Sequence, residues 1–256
     1  MIVAIEGLDR SGKTTLINYL QTIINDANQT NRFVFTKETD FSANLVNEPI
    51  KHHLSNFLLN PNYDNNFDQL SRNLCFALLR AHHDLHVVQP ALKQAKTVII
   101  DRYLHSSFAY TINETMMNAY WNHQIEMGLY QDRQAIINHL LEIYHFSSYQ
   151  KMPDLVFYLS VPIYELQARH QRLLNSWSVS DYQADAIEKQ YDQDFQKWTT
   201  IHEEYLRAFE YVVGPDYAMP KIIILDGLLQ PQQLAQQVYQ AIIDYQNQKQ
   251  INYQPI

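Results

Sequence analysis

Gly7-Leu8-Asp9-Arg10-Ser11-Gly12-Lys13-Thr14 sets two glycines at the ends of a short loop and follows them with a lysine and a hydroxyl residue. In this spacing, G-x-x-x-x-G-K-[ST], successive backbone N–H groups turn inward and form an anion nest at the positive end of a helix. The residues Gly7, Leu8, Asp9, Arg10, Ser11, Gly12, Lys13, Thr14 and Thr15 would then line a polyphosphate. Lys13 would bridge its β- and γ-phosphates, and the Thr14 hydroxyl would hold Mg²⁺. The chain has five glycines, and two of them occupy the positions this loop requires. An ordinary strand–turn–helix is the alternative; the full match and its flanks favour a nucleoside triphosphate site.

A second group lies at Val98-Ile99-Ile100-Asp101-Arg102-Tyr103. A carboxylate at the end of an apolar strand near a phosphate loop can act on Mg²⁺, directly or through water, or accept a proton from a hydroxyl acceptor. The adjacent arginine offers a planar fork suited to a pair of phosphate oxygens. A plain ion pair at a strand end is the competing explanation for Asp-Arg alone. Eleven histidines raise the question of a metal, but His52-His53 and His82-His83 are neighbours that point to different helix faces. His82 and His86 have i, i+4 spacing without an apparent third ligand, so structural zinc is not expected.

These groups need a scaffold. Ile2–Ile5, Arg32–Thr36, Thr97–Ile100, Leu155–Leu159 and Lys221–Leu225 are apolar, β-rich runs separated by helical stretches. The alternation predicts an α/β sandwich with a central, mostly parallel five-stranded sheet flanked by helices. Ligands in such folds sit beyond the carboxyl ends of the strands. That places Glu6–Thr15, Lys37–Asp40 and Asp101–Tyr110 together. The 256 residues, 46% apolar and without a Gly- or Ser-rich linker or internal repeat, read as one domain over 1–256. Within residues 112–152 a helical stretch is expected, most periodic over Asp132–Tyr144. A net charge of −8 argues against a nucleic acid polymer as partner. Cys75, the single cysteine, excludes an intrachain disulfide and fits a reducing, cytoplasmic setting. Neither a secretory signal nor a membrane span is expected.

Taken together, these motifs resemble the thymidylate kinase family, P-loop enzymes that phosphorylate dTMP with ATP and Mg²⁺. Ile5-Glu6-Gly7 through Thr15 resembles the family's opening motif. Asp101-Arg102-Tyr103, with Ser106-Ser107-Phe108-Ala109-Tyr110, resembles its second signature, and Pro153-Asp154-Leu155 into Tyr158–Pro162 the strand before its lid. The resemblance implies that Asp9 lies near the acceptor 3′-hydroxyl and the metal. It puts Arg102 on the acceptor phosphate, helped by Lys37, and Ser107 and Tyr110 on the acceptor side, with Tyr110 closing the sugar pocket. Phe76 and Arg80 match a base-stacking phenylalanine and a base-reading arginine; spacing alone would make Phe76 a core residue. The candidate lid, 173–186, has no lysine or arginine. Arg10 is therefore expected to supply in-loop charge to the transferring phosphoryl group. Arg169 matches a position that lies against adenine, with a plain helix-surface arginine as the alternative. The resemblance also implies a homodimer.

The pattern departs at Thr36-Lys37-Glu38-Thr39-Asp40-Phe41, at Leu79, at Thr111–Glu114 and in the atypically long 112–152 segment. These departures fall on the acceptor side. A deoxynucleoside kinase with a hydroxyl acceptor stays open, as does a non-kinase nucleotide-dependent switch. Glu-Arg-Ser in place of Asp-Arg-Tyr would favour the first, and a guanine-reading Asn-Lys-x-Asp the second; neither string is present.

Overall fold

In the computed structural model, residues 1–37, 69–112, 122–147, 151–176, 195–211 and 219–252 are described. Five strands form the sheet: β1 (Ile2–Glu6), β2 (Phe33–Lys37), β3 (Thr97–Asp101), β4 (Leu155–Ser160) and β5 (Lys221–Asp226). All five apolar runs read from the sequence are strands. Each continues one residue further at its carboxyl end, and Arg32 belongs instead to a short 3₁₀ turn, Thr30–Arg32. Every pairing is parallel, in the order β2-β3-β1-β4-β5. β1 is buried throughout, and β3 and β4 are buried up to their last residue. Two-sided burial is what their unbroken Val/Ile/Leu content requires, since an alternating strand would bury polar groups.

The described helices are α1 (Lys13–Asp26), α2 (Gln69–His83), α3 (Gln89–Lys93), α4 (Leu104–Ile112), α5 (Arg133–Ser147), α6 (Ile163–Ser176), α7 (Phe195–Tyr211) and α8 (Pro231–Asn252). α2 runs into α3 through a π-helical turn, Asp84–Val88. α1 packs against α8, α2 against α5, and α7 against α4. On α1, Leu16, Leu20 and Ile24 recur every four residues and are fully buried. The helical stretch expected to peak over Asp132–Tyr144 is α5, whose first turn is capped by Asp132 Oδ1 accepting the Ala135 N–H at 2.9 Å.

From β1 the chain moves to one side of the sheet for β2 and β3, then to the other for β4 and β5. The carboxyl end of β1 is thus the point where the winding reverses, and a crevice opens there. Register brings the chemically interesting residues level: Ile5 lies beside Asp101, Lys37 beside Asp101, and Glu6 beside Tyr158.

The exits of β4 and β5 meet at Gly227. Its N–H donates to Ser160 O at 2.7 Å, and a Cβ there would lie 2.2 Å from Val161 Cγ2 and 2.7 Å from Ser160 O. Backbone occupies that space, so Gly227→Ala should destabilise the protein by about 2 kcal/mol, in the range of overpacked sites. Thermal unfolding monitored by circular dichroism should show Tm lowered by about 4–8 °C; an unchanged Tm would mean the β4–β5 exit is not closed in this way.

Candidate active site

The phosphate loop connects β1 to α1. Gly12 sits at the helix N-cap with φ of +101°, a left-handed conformation that favours glycine. Arg10 (φ 67°) and Arg102 (φ 66°) adopt the same region without that freedom, at a cost of about 1–2 kcal/mol each. Such strain at two arginines flanking one site marks a region shaped for ligand rather than for stability. Lys13 is buried and curls back over the loop. Its Nζ donates to Gly7 O at 2.9 Å, to Leu8 O at 2.7 Å and to Ser11 Oγ at 3.5 Å. Burial, and after it the positive charge of Arg102, lowers its pKa to about 8. Thr14 and Thr15 are exposed at the helix start.

Arg102 reaches back from the end of β3 to the loop. Its Nη2 is ion-paired with Asp9 Oδ1, and its Nη1 donates to Gly7 O at 3.2 Å, to Tyr205 Oη at 3.1 Å and to Tyr110 Oη at 3.5 Å. The guanidinium lies 5.3 Å from the centre of the Tyr110 ring. The Tyr110 hydroxyl donates to Asp9 Oδ2 at 2.7 Å. Burial opposes ionisation of Asp9, yet Arg102, Lys13 and the Tyr110 hydroxyl together hold its carboxyl below the usual range. Sequence reasoning placed Asp9, Arg102 and Tyr110 in one site, and the fold brings them into direct contact. A small crevice lined by Leu8, Asp9, Tyr110, Trp198 and Ile201 opens beside them.

Asp101 stands at the last position of β3, and among the described residues its buried Oδ1 has no hydrogen-bond partner. A buried carboxylate oxygen with no donor is costly. It suits an ion or its bound water, and with the Thr14 hydroxyl at the start of α1 the donor chemistry present fits Mg²⁺. Lys37 is exposed at the end of β2, beside Asp101 in register.

On α2, Phe76 is half-buried and is not in the core cluster formed by the described residues, whereas Arg80, one turn on, is fully buried. Arg80 Nη2 donates to Ser107 Oγ, and its guanidinium lies 5.3 Å from the centre of the Tyr144 ring. The Tyr144 hydroxyl in turn donates to Ser107 O at 3.3 Å. The middle segment, read from sequence without a role, thus supplies one wall of the Arg80 surroundings. Arg169 is no simple surface arginine. Its Nη1 donates to Ser11 O at 2.7 Å and Nη2 to Gly227 O at 2.8 Å, while Nε pairs with Glu165 at 2.9 Å. It clamps the phosphate loop to the β5 exit. The candidate lid lies outside the described residues beyond 176, as does the Glu38–Phe41 departure.

Sequence reasoning gave no role to Glu6, Ser106 or Tyr205. Glu6 is fully buried. Its carboxylate accepts the Tyr103 N–H at 2.9 Å, the Ser106 N–H at 3.4 Å and the Ser106 hydroxyl, capping α4 from a neighbouring strand. Burial pushes its pKa up, but His105, with Nδ1 3.8 Å away, and the Ser106 and Tyr103 donors outweigh that and hold it ionised. A carboxylate breaking the apolar run of β1 was the available signal for Glu6. Tyr205 carried none, since it falls on the apolar face of α7 like any core tyrosine.

A family model described as Thymidylate kinase matches residues 5–129. The thymidylate kinase of Acinetobacter baumannii (strain ATCC 17978) is 27% identical over 240 residues, 94% of this chain and 98% of that protein. The match begins at the phosphate loop's own strand and carries through Arg102 and Tyr110. Across these residues the chain is similar to thymidylate kinases. The thymidylate kinase of Wolbachia pipientis (strain wPip) is 29% identical over 166 residues, 64% of this chain and 65% of its own length. That of aster yellows witches'-broom phytoplasma (strain AYWB) is 34% identical over 161 residues, 63% and 64%. The chain therefore spans just under two thirds of these last two relatives. Thymidylate kinases are ATP-dependent nucleoside monophosphate kinases. Among the described residues, no helix is long and apolar enough to cross a membrane, and no group of three or more His, Cys, Asp or Glu could hold a metal ion.

Lys13 is the buried cation of the loop. Lys13→Ala should lower kcat by roughly 100- to 1,000-fold, the loss seen when one preorganised charge-stabilising donor is removed. Steady-state turnover of ATP, with circular dichroism to confirm folding, checks this; a kcat equal to wild type would remove the loop from the chemistry.

Proposed function

We propose that the chain transfers the γ-phosphoryl group of ATP to dTMP, forming dTDP and ADP. The observation that carries this reading is the position of Arg102. Its guanidinium lies at the mouth of the phosphate loop, against Gly7 O and Asp9, where a second phosphate-bearing molecule would meet the first. An acceptor phosphate oxygen is already ionised near neutral pH, with its second pKa about 6. Attack therefore needs no strong base. It needs cations that let two anions approach.

The chain's residues divide that work. The loop amides of Gly7, Leu8, Asp9, Arg10, Ser11, Gly12, Lys13, Thr14 and Thr15 bind the donor polyphosphate, and Lys13 and Arg10 place positive charge at the γ-phosphoryl group. Arg102, with Lys37, orients the acceptor phosphate in line. An acceptor oxygen forms the new bond to phosphorus as the bond to the β–γ bridging oxygen breaks, and ADP leaves with that electron pair. Mg²⁺, held by the Thr14 hydroxyl and by Asp101, directly or through water, would neutralise the β- and γ-oxygens. Asp9 and Tyr110 meet the acceptor sugar. Phe76 offers a half-buried aromatic face to the base, supported by its position outside the core cluster of the described residues, and Arg80 and Ser107 read the base edge. Arg169, anchored on the loop backbone, borders the adenine side. The reading takes 1–256 as one kinase domain with its lid over 173–186 and an elaborated segment over 112–152, working in the cytoplasm.

The homodimer implied by the family gains support from Leu74, Leu78 and Leu85, which are about half exposed and fall on one stripe of α2 and the turn that follows. Light scattering during gel filtration should give about twice the 30.2 kDa of the chain; a mass equal to one chain would end the dimer reading.

ADP release measured with ATP·Mg²⁺ against dTMP, dUMP, dCMP, dAMP, dGMP and thymidine tests the acceptor. Strong preference for dTMP is expected. Turnover of thymidine with none of dTMP would overturn the monophosphate acceptor and leave the phosphate loop standing. No turnover of any of them would favour a switch.

A further inference from the structure

Tyr205 lies on α7, outside the 5–129 match, yet its hydroxyl sits in the middle of the site's polar groups. The side chain is fully buried. Its oxygen is 2.7 Å from Ser106 Oγ, 3.1 Å from Arg102 Nη1, 3.3 Å from Gly7 O and 3.5 Å from Glu6 Oε2. Its ring meets Tyr110 edge-on, with centres 6.2 Å apart.

The protons in this group can be assigned by counting. Ionised Glu6 only accepts, and a serine hydroxyl has one proton. The Ser106 proton goes to Glu6 Oε2, so the Ser106 oxygen accepts at its Tyr205 contact. Tyr205 then donates to Ser106 and accepts from Arg102, because a guanidinium has no acceptor. The result is a one-directional chain, Arg102 to Tyr205 to Ser106 to Glu6, running from the mouth of the site to a buried carboxylate. Bonds in such a chain polarise one another, and each is stronger in a buried setting. Burial keeps the Tyr205 hydroxyl protonated far above neutral pH, so the direction does not change over the working range.

We propose that Tyr205 is a positioning residue for the acceptor side of the reaction: through this chain it fixes the plane of the Arg102 guanidinium at the mouth of the phosphate loop. The inference rests on the reading that Arg102 holds the acceptor phosphate. It gives α7 a part in acceptor binding that neither the loop nor the Asp-Arg-Tyr motif contains. Lys13 is not part of this chain and makes its own bonds to Gly7 O and Leu8 O.

Three variants test it: Tyr205→Phe, Ser106→Ala, which breaks the same chain one bond further on, and Tyr158→Phe. Tyr158 is an equally buried tyrosine whose hydroxyl contacts His202 Nδ1 at 2.5 Å and does not belong to the chain. Tyr205→Phe is expected to raise the KM for dTMP roughly tenfold, the loss for one hydrogen bond to a charged group, with the KM for ATP within about twofold of wild type. Ser106→Ala should shift dTMP in the same direction. Tyr158→Phe should lower Tm without moving the dTMP KM. Equal effects on ATP and dTMP, no effect in Tyr205→Phe, or the same dTMP shift in Tyr158→Phe would each overturn the proposal. If Tyr205→Phe does not fold, Ser106→Ala decides by the same criteria. A wild-type enzyme that turns over dTMP while these criteria fail overturns this inference alone; a wild type inactive on dTMP overturns the functional reading with it.

Discussion

Glu6 is the constraint on which the site's geometry rests. A carboxylate in a strand buried on both faces is tolerable only where donors surround it. Here the donors are the amides and hydroxyl at the start of α4. Satisfying that one charge fixes the β3–α4 turn against the end of β1. Arg102 lies inside that turn, with its N–H on Ile5 O at 3.0 Å and its backbone in the left-handed region. The same pair of strands that orders the phosphate loop thereby also aims the arginine from β3.

Opposite charges are arranged around the loop so that none is isolated. Lys13, Arg102 and Arg10 share the space with Asp9, Asp101 and Glu6, and the attractions and repulsions act through a partly dry interior. Lys13 is satisfied by loop carbonyls and Arg102 by Asp9. Both cations are already near the places where phosphate charge would arrive. Their pairing with weaker or competing partners keeps them oriented and limits the reorganisation that ligand binding requires.

Arg80 and Arg102 are held by more distant parts of the chain than the phosphate loop is. The donor loop is one continuous segment. Arg80 is instead held by Ser107 from α4 and by the face of Tyr144 from α5, and Arg102 by Tyr205 from α7. In the loop, backbone conformation at Gly7–Gly12 determines where the amides point.

By itself the sequence determined the sheet, the loop and their meeting point. Five apolar runs, each too uniformly hydrophobic to face water on one side, dictated parallel strands covered on both faces. Glycine spacing with Lys13 and Thr14 dictated an anion nest, because both are local properties of a few consecutive residues. It also singled out Asp101 and Arg102 as a strand-end pair beside the loop, whereas Asp9, Phe76, Arg80 and Tyr110 were picked out only by resemblance to a family. Tertiary structure alone decided what those residues touch. Phe76 lies outside the core cluster of the described residues and Arg169 against the loop backbone because of how α2 and α6 pack, which periodicity does not specify. Tyr205 and Tyr144 were invisible for the same reason. Each is an aromatic residue on an apolar helix face, and only the position of a single hydroxyl or ring face relative to another element separates a site residue from a core residue.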